Sequence, residues 1–113
     1  MPFSSWRSFT KTEITKVPVY KGVYELCDAK GEIVYIGSSE KSIRSRLETH
    51  KSKTKFMKVK NFRFMRIGED RLWITAKHIE RNLCAKFYKV HNSLPHLQER
   101  APKNISPLDW LNI

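Results

Sequence analysis

Cysteine is scarce. The 113-residue chain has two, Cys27 and Cys84, each set alone among apolar neighbours. No C-x-x-C pair occurs, so the usual ligand spacing of a structural zinc site is missing. The N-terminal stretch "MPFSSWRSF" lacks the apolar core of a signal peptide. The expected compartment is therefore cytoplasmic or otherwise intracellular, where both thiols stay reduced and serve as small buried hydrophobes. Long apolar runs are also wanting. Nothing approaches the roughly 18 residues of a membrane span, so no membrane partner is expected. Repeats and low-complexity tracts are absent. Acidic side chains are half as numerous as basic ones, 11 Asp+Glu against 22 Lys+Arg, for a formal charge of +11. A small domain with a pI near 9.9 is built to meet a polyanion, nucleic acid first.

What is present suits one ordinary domain spanning 1–113. Hydrophobic residues are 40% of the chain, enough for one core, and charged residues are 29%. Residues 1–19 form a polar extension. Its aromatics, Phe3, Trp6 and Phe9, point to wrapping on the core rather than a free tail. "VYKGVYELCDAKGEIVYIG" places two β-branched and aromatic runs around "DAKG". Asp28 suits a turn start and Gly31 a left-handed final position, so a hairpin is predicted, 20–27 paired with 32–36. Gly37, Ser38 and Ser39 should stop the second strand.

"SSEKSIRSRLETHK" reads as a serine-capped helix with Glu40 favouring its positive end. Ile43 and Leu47 form its buried edge; Arg46 and His50, four apart, share the neighbouring flank. A lysine-rich connection follows over 51–61. "NFRFMRI" alternates apolar with arginine, a third strand near 61–67. Asp70 is a good N-cap for a long helix over 71–90. Pro95, Pro102 and Pro107 make the tail, 93–113, irregular, and Trp110 and Leu111 are expected to tuck back onto the core. The expected fold class is α+β: a small three-stranded antiparallel sheet flanked by helices.

The helix from 71 raises a question. At about 100° per residue its apolar stripe is Ala76, Ile79, Leu83 and Phe87. Glu80 falls in or beside that stripe, among Trp73, Cys84 and the stripe itself. A carboxylate there is costly to bury unless something pairs with it. A structural pairing with Lys77 or Arg81 is one answer. His78, His91 and His96 make no convincing ligand set.

Order and spacing suggest another. "GVY" at 22–24 and "YIG" at 35–37 are followed by "RLETH" with Arg46 and His50, then by "IERNLCAKFYKVHN" with Glu80 and Asn92. Together, over about residues 20–92, these resemble the GIY-YIG nucleases. Valine replaces the first motif's isoleucine. Residues 1–19 and 93–113 have no counterpart in the resemblance. It implies a metal-dependent endonuclease that hydrolyses phosphodiester bonds, with DNA ahead of RNA as partner.

Under the resemblance, Glu80 would ligate a single Mg²⁺ or Mn²⁺, since such hard, hydrated ions sit on one carboxylate plus waters and phosphate. Arg46 would set a permanently charged donor fork on phosphate oxygens. Tyr24 or Tyr35 would take the proton from the attacking water, Tyr24 the favoured base and Tyr35 the positioning donor. A tyrosine pKa near 10 needs nearby positive charge for that work. His50 would orient the tyrosine or relay its proton. Gly37 would let the backbone approach closely. Asn92 would brace the site or simply end its helix.

Arg44, Lys51, Lys53, Lys55, Lys58 and Lys60, with Arg63 and Arg66 beyond them, are candidates for phosphate tracking, and the interleaved Phe56, Phe62 and Phe64 for base stacking, although the phenylalanines on the strand fit the core better. Two other readings stand beside the nuclease. One is a binding module without catalysis. The other is a nuclease subunit that works through a protein partner or as a homodimer.

Overall fold

The computed structural model describes residues 3–68 and 73–98. The chain is α+β. Four antiparallel strands, β1 (Arg7–Ser8), β2 (Gly22–Cys27), β3 (Ile33–Ser39) and β4 (Asn61–Arg66), lie in the order β1-β4-β2-β3. Helices α1 (Lys11–Ile14), α2 (Ile43–Lys51) and α3 (Ala76–His91), with a 3-10 turn at Thr54–Phe56, complete the described elements.

The hairpin forms where the turn chemistry put it. Asp28 Oδ1 accepts from the amides of Lys30 and Glu32, and Gly31 takes φ +82°. β3, however, runs past Gly37: Ser38 pairs with Val23 and Ser39 with Gly22. Glycine and serine are weak strand formers alone, but cross-strand pairing and burial override propensity. The sheet also has a fourth strand where three were expected. β1 is two residues long and pairs Arg7 with Phe62, too short to leave an alternating pattern. α1, capped by Thr10 accepting from the Glu13 amide, was likewise not expected.

Each sheet face is covered. Tyr24, Leu26 and Phe62 pack under α1 and α2 with Ile14, Ile43, Leu47 and Phe9. Val23, Met65 and Ile67 meet Ala76, Ile79 and Leu83 of α3, with Phe3 alongside. Phe9 and Phe3 thus do pack on the core, while Trp6 stays exposed. Phe3 and Trp6 hold the Arg63 guanidinium between them, 4.6 Å from each ring, while Arg63 pairs with the buried Glu25 at 2.6 Å.

α3 begins at Ala76, not at 71. Its N-cap is Thr75, whose hydroxyl accepts from the His78 amide; Asp70 lies outside the described residues. Trp73 therefore precedes the helix and does not shelter Glu80; it is 77% exposed. Glu40 does not serve α2. Its carboxylate reaches across the chain and accepts from the amides of Ala76 (2.9 Å) and Lys77 (3.0 Å), satisfying two of the orphan donors at the start of α3. α2 is capped by Ser42.

β3 is an outer strand, and the chain after α3 covers it. The Leu97 amide donates to Val34 O, and the Gln98 side-chain amide both donates to Ile36 O (2.8 Å) and accepts from Ile36 N (3.1 Å). A glutamine amide thus imitates a neighbouring strand. Trp110 and Leu111 lie outside the described residues. Cys27 and Cys84 are buried free thiols, and burial pushes the Cys84 thiol up to about 12. Among the described residues no helix is long and apolar enough to cross a membrane.

Candidate active site

The site starts from one packing constraint. Tyr24 on β2 faces Gly37 on β3 in register. A Cβ on Gly37 would stand less than 3.0 Å from the Tyr24 ring. Only glycine lets the ring lie flat across the neighbouring strand. The ring is fully buried there, stacked 6.3 Å from Tyr35 at an interplanar angle of 20°.

α2 brings its flank to the same place. Leu47 anchors the helix in the core, and one turn apart on the neighbouring flank stand Arg46 and His50. His50 Nε2 lies 2.6 Å from the Tyr24 hydroxyl, and its ring packs against Tyr35 at 5.0 Å and Phe56 at 4.3 Å. Arg46, one turn before His50, lies near enough to act electrostatically on both phenols, whose pKa it lowers, and on Glu80.

α3 supplies the carboxylate. Glu80 is 6% exposed. Its Oε1 accepts from the Ser38 hydroxyl (2.7 Å) and its Oε2 from Lys77 Nζ (2.8 Å). That answers how the acid tolerates its setting: it is paired at both oxygens. The structural partner foreseen for it, Lys77, is present. Ser38, which was expected only to stop a strand, was not foreseen. Its place directly after "YIG" was the available signal, but strand register alone turns its hydroxyl toward α3.

The electrostatics follow from burial. Tyr24 is pushed well above the ordinary phenol range, by desolvation first and by Tyr35 second, with Arg46 opposing. Tyr35 is raised for the same leading reason, with Glu80 adding to it and Arg46 opposing. His50 is pulled down to about 4, by burial first and then by Arg46, Lys53 and Lys55. It is therefore a neutral imidazole at pH 7. Its Nδ1 is buried with no hydrogen-bond partner among the described residues.

Tyr24, Tyr35, His50 and Gly37 thus pack together, and Arg46 and Glu80 lie near enough to act electrostatically on both tyrosines. Asn92 does not join them. It ends α3 in the left-handed region, φ 56° and ψ 27°, about 18 Å along the helix from Glu80 at 1.5 Å per residue. Arg44 also departs from expectation: its Nε donates to Val17 O at 2.7 Å and ties α2 to the N-terminal segment. Phe56 is core, 4% exposed, so it offers no face to a base. Lys51, Lys53, Lys55, Lys58 and Lys60 are all exposed, and Lys53 and Lys55 lie close enough to act on His50.

No group of three or more His, Cys, Asp or Glu side chains suited to a metal occurs among the described residues. A single buried carboxylate beside a serine hydroxyl is a hard-oxygen donor set all the same. It fits an ion that keeps most of its waters. The Lys77 ammonium competes for Oε2, but its side chain is 58% exposed and free to swing out.

A family model described as a domain of unknown function (DUF7508) matches residues 1–80. No curated protein and no solved structure matches the chain.

Proposed function

The chain belongs to the DUF7508 family of domains of unknown function, and from its site we propose that it is a metal-dependent endonuclease of the GIY-YIG kind, acting on DNA ahead of RNA. The observation that carries this is the packing of His50 and Tyr35 about the Tyr24 ring over Gly37, with the buried Glu80 bound to Ser38, the residue after Gly37, and Arg46 near enough to act on both phenols and the carboxylate. A packed core needs no such gathering of two phenols, a guanidinium, an imidazole and a carboxylate.

Glu80, with the Ser38 hydroxyl beside it, would hold Mg²⁺ or Mn²⁺, which supplies positive charge to phosphate oxygens. Arg46 presents its donor fork to the same phosphate and offsets the charge that builds there in the transition state. The two tyrosines divide by their partners. Tyr24, whose hydroxyl lies 2.6 Å from Nε2 of neutral His50, would take the proton from water while passing its own to Nε2 in the tautomer that leaves that nitrogen free; the positive charge of Arg46 and of the metal would offset the burial that holds the phenol high. Tyr35 positions the water or the phosphate. The exposed lysines from 51 to 60 hold the backbone leading into the site.

The test is a cleavage panel of single strands, duplex, flaps, loops and four-way junctions, with and without divalent metal, run beside Glu80→Gln. Metal-dependent cleavage lost in the variant supports the reading. Binding without cleavage by the wild type under all conditions overturns it. That outcome would favour the second reading, a binding module without catalysis, for which the Lys77–Glu80 pair is the specific observation.

A further inference from the structure

Where β2 begins, among the described residues, large apolar side chains stand exposed on two neighbouring segments. Trp73 is 77% exposed, Val19 56% and Tyr20 39%. The two segments are tied side by side by Lys21 Nζ, which donates to Ile74 O at 2.8 Å. The Arg66 guanidinium lies 3.7 Å from the centre of the Tyr20 ring, a cation seated flat on an aromatic. Nothing in the proposed chemistry uses these groups, and a buried role is ruled out by their exposure.

Their distance from the site is set by strand register. Gly22 pairs with Arg66 on one side and Ser39 on the other. Arg66 and Ser39 are therefore two strand spacings apart, about 10 Å. Ser38, next along β3, holds Glu80. From the other direction, Trp73 leads through Thr75 into the first turn of α3, whose amides Glu40 clamps, and Glu80 follows one turn on.

Resting on the nuclease reading, we infer that Trp73, Tyr20 and Arg66 form a stacking platform for an unpaired nucleobase close to the cleaved phosphate. The 10 Å between the backbones of Arg66 and Ser39 is about three nucleotide steps at 3.4 Å each. Flat rings and a guanidinium plane accept any base face, and the net charge of +11 favours a polyanionic strand over an acidic or apolar protein surface. The preferred substrate is then nucleic acid with a single-stranded or unstacked segment, such as a flap or bulge, rather than uninterrupted duplex. In continuous duplex the bases stack on each other and show no face to the platform.

Binding without cleavage tests this. Fluorescence anisotropy with labelled oligonucleotides in a metal chelator compares plain duplex with the same duplex carrying a flap or bulge. The proteins are wild type, Trp73→Ala and Arg66→Ala. Trp73 is exposed, so its variant folds. Wild type should prefer the flapped substrate, and Trp73→Ala should lose about 5- to 100-fold on it while plain duplex changes less than about twofold. Wild-type affinity for both substrates in Trp73→Ala overturns the platform and leaves the nuclease reading standing. So does a self-associating wild type that Trp73→Ala makes monomeric with nucleic-acid binding unchanged, since the face then belongs to a protein contact. Wild type that binds no nucleic acid in any form overturns the nuclease reading itself, and the platform with it.

Discussion

Replacing Gly37 with alanine probes the packing on which the site rests. The added Cβ would meet Cζ, Oη and Cε2 of Tyr24 below 3.0 Å. The ring is fully buried, so it can yield only by giving up the 2.6 Å contact of its hydroxyl with His50. Overpacking of this kind costs about 1–3 kcal/mol. Loss of the phenol–imidazole bond adds about 0.5–1.5 kcal/mol. Gly37→Ala should thus destabilise the fold by about 2–4 kcal/mol, or about 8–16 °C in Tm at roughly 4 °C per kcal/mol for a domain near this size. Tyr24→Ala alone should cost about 3–5 kcal/mol as a large-to-small change in the core. In the double variant the obstruction is gone, so the alanine at 37 should cost less than about 1 kcal/mol on top of Tyr24→Ala. Urea or thermal unfolding of the four proteins reads out the cycle. Additivity within about 0.5 kcal/mol would refute the claim that Gly37 exists for the Tyr24 ring.

Other outcomes follow from the same geometry. His50 has its pKa lowered from 6.5 to about 4 in the folded state, so the unfolded chain binds more protons between those values. Its contribution is complete above pH 6.5 and is lost as pH falls toward 4. The bound is about 3 kcal/mol at 1.36 kcal/mol per pH unit, and solvent near Lys53 and Lys55 screens it to about 1–2 kcal/mol. Urea midpoints at pH 7 and 4.5 should show that drop in wild type and a shallower one in His50→Gln. Glu40→Ala removes the acceptor from two α3 amides and should cost about 0.5–2 kcal/mol, measured by thermal unfolding, with Glu40→Gln in between. In the cleavage assay Glu40→Ala should also lower activity by loosening the turn that carries Glu80; unchanged stability and activity together would show that the cap is idle.

Local pattern determined a good deal of this protein. Alternation and the "DAKG" turn marked the hairpin, since a strand's period of two and a glycine in the left-handed region are local matters. The spacing of Ile43, Leu47, Arg46 and His50 marked both faces of α2, and the stripe through Ala76, Ile79 and Leu83 marked α3. The net positive charge was a matter of counting.

Tertiary structure alone decided the rest, because it depends on which strand lies beside which. β1 is too short to carry a period, and it exists through its pairing with β4. Glu40 looked like a cap for the helix next to it and proved to cap one far along the chain. Asn92 was grouped with the site by order in sequence, but helix rise carries it away. Ser38 became a partner of Glu80 through the register of β3, and Tyr24 found its acceptor in His50 because a missing Cβ at Gly37 left room for the ring.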